Sequence, residues 1–255
     1  MNIQQVNSVF FSPTDNTKKV LDFLAKQISI EVKDFDLCAK KDSNNIEFNE
    51  DDLVFIGAPS YAGRLPQTFV ERFNHINGNG ATAVLVATFG NRAQEDTLIE
   101  LFDVAKEHNF QILAAASVVT QHSIIGSFGK SRPDGKDKNE LTNFVKDIKL
   151  KIESGTLLQE VIEGNRPYKE ISLIPMAPKM HKNLCVDCGE CAKLCPVDAI
   201  NPETRICEKD KCISCMRCVT ICPNKARYID EDRLEKLRLR LEEPCRGRKD
   251  NRFYL

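Results

Sequence analysis

The chain has no tryptophan, so a flat aromatic ligand would have to stack on tyrosine or phenylalanine. No apolar run approaches the ~18 residues of a membrane-spanning helix; ATAVLVATF and ILAAASVV are of strand length. The opening MNIQQVNSVFF lacks the basic-then-apolar build of a signal peptide. Net charge is -1, so there is no global basic field, and neither nucleic acid nor a membrane surface is an expected partner. Neither a G-x-x-x-x-G-K phosphate loop nor a G-x-G-x-x-G fingerprint follows any apolar run, which disfavours nucleoside triphosphates and nicotinamide dinucleotides. A cytoplasmic protein is expected, in which dense cysteine argues for metal and not for disulfides.

Cysteine is scarce over most of the chain and crowded in one stretch. Before residue 185 there is only Cys38, whereas nine of the eleven cysteines lie between Cys185 and Cys222. The pattern C-x2-C-x2-C-x3-C-P occurs there twice, at Cys185, Cys188, Cys191, Cys195 and at Cys212, Cys215, Cys218, Cys222. A loop with three thiolates three residues apart can wrap an iron–sulfur cubane. The proline after the fourth cysteine turns the chain away. Structural zinc, usually held by paired C-x2-C units or histidine, fits two such runs poorly.

This region closely resembles the bacterial two-cluster 4Fe-4S ferredoxins over about residues 178 to 230. In that family the fourth cysteine of each run serves the other cluster. The resemblance therefore implies one cluster on Cys185, Cys188, Cys191 and Cys222, and a second on Cys212, Cys215, Cys218 and Cys195. Cys207, Cys38 and Cys245 are expected to be free or structural thiols.

The longer first part alternates apolar runs with amphipathic segments. VNSVFFS, ISIEVKDFDL, DDLVFIGAP, ATAVLVATFG and FQILAAASVV read as strands. TKKVLDFLAKQI, PQTFVERFNHI, AQEDTLIELFDVAKEHN and KNELTNFVKDIKLKI read as helices. The fold class is α/β: a doubly wound sheet of five parallel strands, whose continuous apolar runs reflect burial on both faces. The expected organisation is a first domain over 1–155, a connector over 156–177, a small α+β cluster domain over 178–230, and a C-terminal helix with a basic tail over 231–255. Leu234, Leu237 and Leu241 share one face of that last helix.

Ligands on such sheets bind at the carboxyl ends of the strands. The first loop there, Ser12-Pro13-Thr14-Asp15-Asn16-Thr17, offers hydroxyls and a helix N-terminus to an anion. The next, Ala58-Pro59-Ser60-Tyr61-Ala62-Gly63, and a third, Thr88-Phe89-Gly90-Asn91-Arg92, set an aromatic beside small residues. Together these loops resemble those of flavodoxin, and the whole chain resembles the flavodoxin–ferredoxin fusion proteins, the ferrodoxin family.

That resemblance implies FMN, its phosphate on Ser12, Thr14, Asn16 and Thr17. Its ring would lie between Pro59, Ser60, Tyr61, Ala62 and Gly63 on one side and Thr88, Phe89, Gly90, Asn91 and Arg92 on the other. Asp15 stands where such loops usually have glycine. Arg64 and Arg92 could offset flavin charge, and His122 could reach the flavin edge. The expected protein is an electron-transfer flavo-iron–sulfur protein serving a redox partner protein. The alternatives are an FMN-dependent reductase of a small-molecule acceptor, which would be an oxidoreductase in the strict sense, and a redox sensor.

Overall fold

The structure is a computed structural model describing residues 1–39, 45–172 and 174–255; residue 173 of the connector lies outside the described residues. In chain order the elements of the first part are β1 (Gln5–Phe10), α1 (Asn16–Ala25), β2 (Lys33–Asp36), β3 (Ile46–Glu47), β4 (Asp52–Pro59), α2 (Gln67–Phe73), β5 (Ile76–Asn77), β6 (Thr82–Phe89), α3 (Thr97–Glu107), β7 (Gln111–Val119) and α4 (Gly135–Ser154). The rest contributes β8 (Lys179–Met180), α5 (Glu190–Lys193), α6 (Arg217–Thr220), β9 (Arg227–Tyr228), α7 (Glu231–Glu242) and β10 (Arg252–Tyr254).

The main sheet has the order β10-β7-β6-β4-β1-β2. Its first five strands in sequence are all parallel, as their apolar runs predict. Strand order reverses between β1 and β4, which is the topological switch point. Side chains alternate across the pleat. Leu53, Phe55, Val84 and Val86 join Leu21 and Leu24 of α1 and Phe144 and Ile148 of α4 on one face. Val54, Ile56, Leu85 and Ala87 join Phe69 and Phe73 of α2 and Leu98 and Leu101 of α3 on the other. Burial on both faces confines polar residues to the strand ends, Asp52 in β4 and Thr82 and Thr88 in β6, which explains the apolar runs between them.

The β2 strand is shorter than ISIEVKDFDL suggests, because the chain is still turning at Gln27 and Ile28 beyond α1. The sheet also carries a sixth strand that the sequence pattern did not indicate. Arg252–Tyr254 pairs antiparallel with Ala115–Ser117 of β7 and closes that edge.

In the second part, β8 and β9 pair antiparallel, and the two short helices α5 and α6 carry the third cysteine of each run, Cys191 and Cys218. Here α7 does not extend into solvent. Its Leu234, Leu237 and Leu241 pack with Ile125 and Ile124 from the loop after β7, Met176 of the connector, and Met216 and Ile229. This apolar cluster joins the two parts. Polar contacts reinforce it: Arg72 donates to the Pro196 carbonyl, and Arg217 lies 3.7 Å from Asp36.

Candidate functional site

The carboxyl ends of β1, β4, β6 and β7 converge on one mouth. Gly57 in β4 lets α1 lie close against the sheet there. A Cβ at that position would stand 2.8 Å from Leu21 Cδ1 and 2.9 Å from Thr17 Cγ2. The loop before α1 is tied by Ser12, whose Oγ accepts from the Lys18 backbone N–H at 3.0 Å. Asp15 adopts φ 62° and is exposed, a left-handed conformation that aspartate tolerates better than most residues. Its carboxylate therefore faces water and not the loop's interior. The Asn16 and Thr17 N–H groups lie in the first helical turn, where no intrahelical acceptor exists.

Ser12, Thr14, Asn16, Thr17, Pro59, Ser60, Tyr61, Thr88, Phe89 and Gly90 line a cavity of about 60 Å³ at this mouth, together with Thr120, Gln121, His122 and Ser123. Hydroxyls dominate its wall and no carboxylate lines it. Two of them are mutually engaged, Thr17 Oγ1 and Thr88 Oγ1 at 2.7 Å. Ser60, Tyr61, His122 and Ser123 also line an adjoining cavity of about 390 Å³, a size ordinary for a cofactor or small-ligand site. Ala62 and Arg92 belong to the second cavity.

Two residues of the expected set are elsewhere. The Asn91 side chain is buried and donates to the carbonyls of Cys245 and Gly247, at 2.8 Å and 2.9 Å; it anchors the tail. Gly63, at φ 90°, instead packs tightly against Glu95. Arg64 also turns away, pairing with Glu100 at 2.8 Å, while Arg92 stays on the cavity wall, paired with Glu95 at 2.7 Å. The Arg92 and Lys169 cations hold Glu95 down to about 2.

His122 lines both cavities. Its Nδ1 accepts from the Ile124 and Ile125 N–H groups, each at 3.1 Å, which places any ring proton of the neutral form on Nε2. Burial, assisted by the Arg92 charge, pushes this imidazole down to about 4. It is therefore a neutral donor at ordinary pH. Gly90 permits this arrangement, since a Cβ there would meet the His122 backbone at 2.8 Å.

The larger cavity is also lined by residues that the sequence did not nominate for it. Lys169, Ser172, Ile174 and Met176 come from the connector, Ile213 and Ser214 from the second cysteine run, and Leu237, Arg240, Leu241 and Pro244 from α7 and the turn after it. Only the folded topology brings these together.

The cysteines form two groups. One cavity is lined by Cys185, Cys188, Cys191 and Cys222. A second is lined by Cys195, Cys212, Cys215 and Cys218, with Cys207 beside them. Among the described residues no group of three or more Cys, His, Asp or Glu is arranged to hold a single metal ion. Burial pushes Cys215 and Cys218 up to about 12; such thiols ionise only with a cation beside them. Hydrogen bonds are already aimed at sulfur, from Ala199 N–H to Cys195 and from Ala226 N–H to Cys222, both at 3.3 Å.

Residues 178–201 and 208–228 match the 4Fe-4S binding domain family. With the strand order above, this decides the architecture. The chain is a flavodoxin-like α/β unit joined to a 4Fe-4S domain. No curated protein matches the chain. Among solved structures it is similar to oxidised flavodoxin 1 from Bacillus cereus, at 16% identity over 58% of this chain and 98% of that one, TM-score 0.43. It is similar to the Streptococcus pneumonia TIGR4 flavodoxin, at 19% identity over 58% and 99%, TM-score 0.42. It is also similar to rubredoxin oxygen:oxidoreductase from Desulfovibrio gigas, at 16% identity over 59% of this chain and 36% of that one, TM-score 0.43. The strand order, not these likenesses, carries the fold of the flavodoxin-like unit. Among the described residues no helix is long and apolar enough to cross a membrane.

The 4Fe-4S domain offers its own test of fit. Arg227 is buried, and its Nη1 has no partner among the described residues. Its Nη2 donates to Cys191 Sγ at 3.1 Å. A cationic donor left over beside a cysteine-lined cavity fits an anionic cluster there.

Proposed function

We propose that the protein carries single electrons between two 4Fe-4S clusters and an FMN. The clusters would be held by Cys185, Cys188, Cys191 and Cys222 and by Cys212, Cys215, Cys218 and Cys195. One observation carries the reading. Ile213 and Ser214, which stand between two cysteines of the second cavity, also line the cavity at the carboxyl ends of the sheet. The Met176 N–H bonds Ser214 Oγ at 2.8 Å and fixes that contact. A flavin exchanges one or two electrons, and an iron–sulfur cluster exchanges one, so together they couple one-electron carriers to two-electron chemistry.

The chain's own residues do the positioning. Ser12, Thr14 and the first turn of α1 would bind the phosphate, and Tyr61 would face the ring. The His122 Nε2–H is a fixed donor toward the cavity. Burial first, and then the nearby Cys215 thiol, push the Tyr61 phenol well up, so it stays neutral. The connector and α7 roof the cavity, so a redox partner protein would reach the flavin through the clusters. The first cluster cavity is the outer one: Cys188 is exposed, as are Leu184 and Val186 on its wall.

A second reading has its own support. The larger cavity combines Arg92, Lys169 and Arg240 with an apolar wall of Ile124, Ile174, Ile213 and Leu241. That lining suits a small acceptor molecule reduced at the flavin, which would make the protein an FMN-dependent reductase.

Anaerobic purification is expected to yield about eight irons and one FMN per chain. In stopped-flow absorbance after mixing with a one-electron reductant, bleaching of the clusters should precede bleaching of the flavin. Colourless protein containing zinc, or flavin reduction that ignores the clusters, ends the proposal. Steady turnover of a small acceptor without any partner protein would favour the reductase reading.

Asp15 supplies a further check. Its carboxylate opposes a nearby phosphate by about 1 kcal/mol through water, the size for charges about 4 Å apart. Asp15→Gly is therefore expected to tighten FMN binding about fivefold in a fluorescence titration at low salt. The gain should shrink as salt rises. Unchanged or weaker binding at low salt would show that the phosphate lies elsewhere.

A further inference from the structure

The two cysteine runs are copies in structure as well as in sequence, each residue having a counterpart 27 positions on, as Cys185 has Cys212 and Cys195 has Cys222. The backbone repeats its left-handed residues in register: Asp187 and Ser214 at φ 54° and 56°, Gly189 and Met216 at 78° and 61°, Asp198 and Lys225 both at 52°. Short helices follow at matching places, Glu190–Lys193 and Arg217–Thr220. So do the N–H to sulfur bonds of Ala199 and Ala226.

The copy breaks in charge at more than one place. Glu190, 3.7 Å from Lys193, has Arg217, 3.7 Å from Asp36, as its counterpart, so both of those charges are already paired. Another break is the residue after Ala199 and Ala226. Ile200, on the wall of the second cysteine cavity, has Arg227 as its counterpart on the wall of the first. Both are buried, at 4% exposure each. Arg227 donates from Nη2 to Cys191 Sγ at 3.1 Å and to the Arg205 carbonyl at 2.7 Å. Its Nη1 is buried and unpartnered, and no carboxylate pairs with it among the described residues. A buried guanidinium without a counterion is strongly destabilising, so its countercharge has to come from what the cysteines hold. The charge also reaches Cys212 and Cys218 across the domain, but the hydrogen bond goes to the first set only.

We propose that Arg227 sets the two clusters apart in potential, raising the cluster on Cys185, Cys188, Cys191 and Cys222 above the one on Cys212, Cys215, Cys218 and Cys195. A positive charge and a donated hydrogen bond both favour the more negative, reduced state. This makes the outer cluster an electron store, from which the inner one is filled only as the flavin drains it. The inference rests on the cluster assignment above.

The test is a potentiometric titration followed by EPR on the full chain with iron and sulfide counted first. Arg227→Ile, which restores the repeat, and Arg227→Gln, which keeps a donor without the charge, are compared with the unaltered protein. Repeating each titration with Cys195→Ala, which retains only the outer cluster, assigns the two signals. Both variants are expected to lower the outer cluster's reduction constant at least tenfold, which is 59 mV for one electron, and to move the inner one less. If Arg227→Ile loses the outer cluster altogether, Arg227→Gln still reads the charge. Full iron with unmoved potentials, or equal shifts at both clusters, overturns the proposal. Unaltered protein without iron overturns the cluster assignment, and this inference with it.

Discussion

Cys195→Ala is expected to remove about half of the iron and to stop electron flow to the flavin. The reason lies in the grouping of side chains and not in their sequence order. Cys195 belongs to the first run, yet it lines the cavity of Cys212, Cys215 and Cys218. It is buried there, with the Ala199 N–H on its sulfur. Losing it leaves three thiols around a cluster that needs four ligands. Ile213 and Ser214 tie that same cavity to the larger cavity proposed for FMN. The outer cavity keeps all four of its cysteines, so about four irons should remain. Cys222→Ala is the counterpart. It too should lose half of the iron, but the flavin phase of the stopped-flow trace should persist, because the inner cluster survives. Were Cys195→Ala to keep the flavin phase and Cys222→Ala to abolish it, the crossed grouping would be wrong. Cys207 offers a control. It bonds Cys212 and so lowers that thiol, but it is outside both sets of four, and Cys207→Ala should hold its iron.

The cysteine runs were legible because their chemistry is local: spacing of three and four residues dictates what one loop can wrap. The five parallel strands were legible because burial on both faces leaves a continuous apolar run. The loops at the carboxyl ends followed from that sheet, and twelve of the residues they nominated line one or other of the two cavities. What the sequence hid depends on contacts across long stretches of chain. Asn91 sits in a loop that looks ligand-facing, but its amide holds Cys245 and Gly247. Arg64 is drawn to Glu100, a residue on α3. The β10 strand is three residues long, too short for any periodicity to register. The cavity roof is assembled from connector residues that read as linker and from α7, whose apolar face of Leu237 and Leu241 was legible but not the cavity it covers. The Ile200 and Arg227 mismatch was visible in the repeat, but only the buried, unpaired guanidinium gives it meaning.

Asp137→Ala is expected to cost about 3–5 kcal/mol of stability, the cost of stranding a buried charge. Asp137 is fully buried at the start of α4. Its Oδ2 accepts from Arg132 Nε and from the Asp134 N–H, both at 2.8 Å. Its Oδ1 accepts from Arg132 Nη2, from Arg248 Nη2 at 2.9 Å and from Asn251 Nδ2 at 2.9 Å. Burial, the largest single influence, pushes this carboxyl up; the hydrogen bonds from Arg132, the Asp134 N–H and Asn251, with the Arg132 charge, together outweigh it and hold the group below the usual carboxylate range. With a depressed folded pKa, its contribution is present above the unfolded carboxylate pKa and fades as pH falls through the folded value. Removal leaves Arg132 buried and unpaired, and it also unties the tail. Arg248 and Asn251 lose an anchor, while Asn251 is the residue whose Oδ1 accepts from the Val119 N–H beside β10. The tail leads straight out of α7, which roofs the larger cavity, proposed above for FMN, through Leu237, Arg240 and Leu241. Loss of stability should therefore come with weaker FMN retention, by about tenfold or more. Asp137→Asn, which keeps the volume and one acceptor, should lose less of both. Chemical denaturation followed by circular dichroism reads the first quantity, and flavin fluorescence released on dilution reads the second. Asp137→Ala within about 1 kcal/mol of the unaltered protein would mean that the buried network contributes little. A full loss of stability with unchanged flavin retention would mean that the tail does not hold the roof.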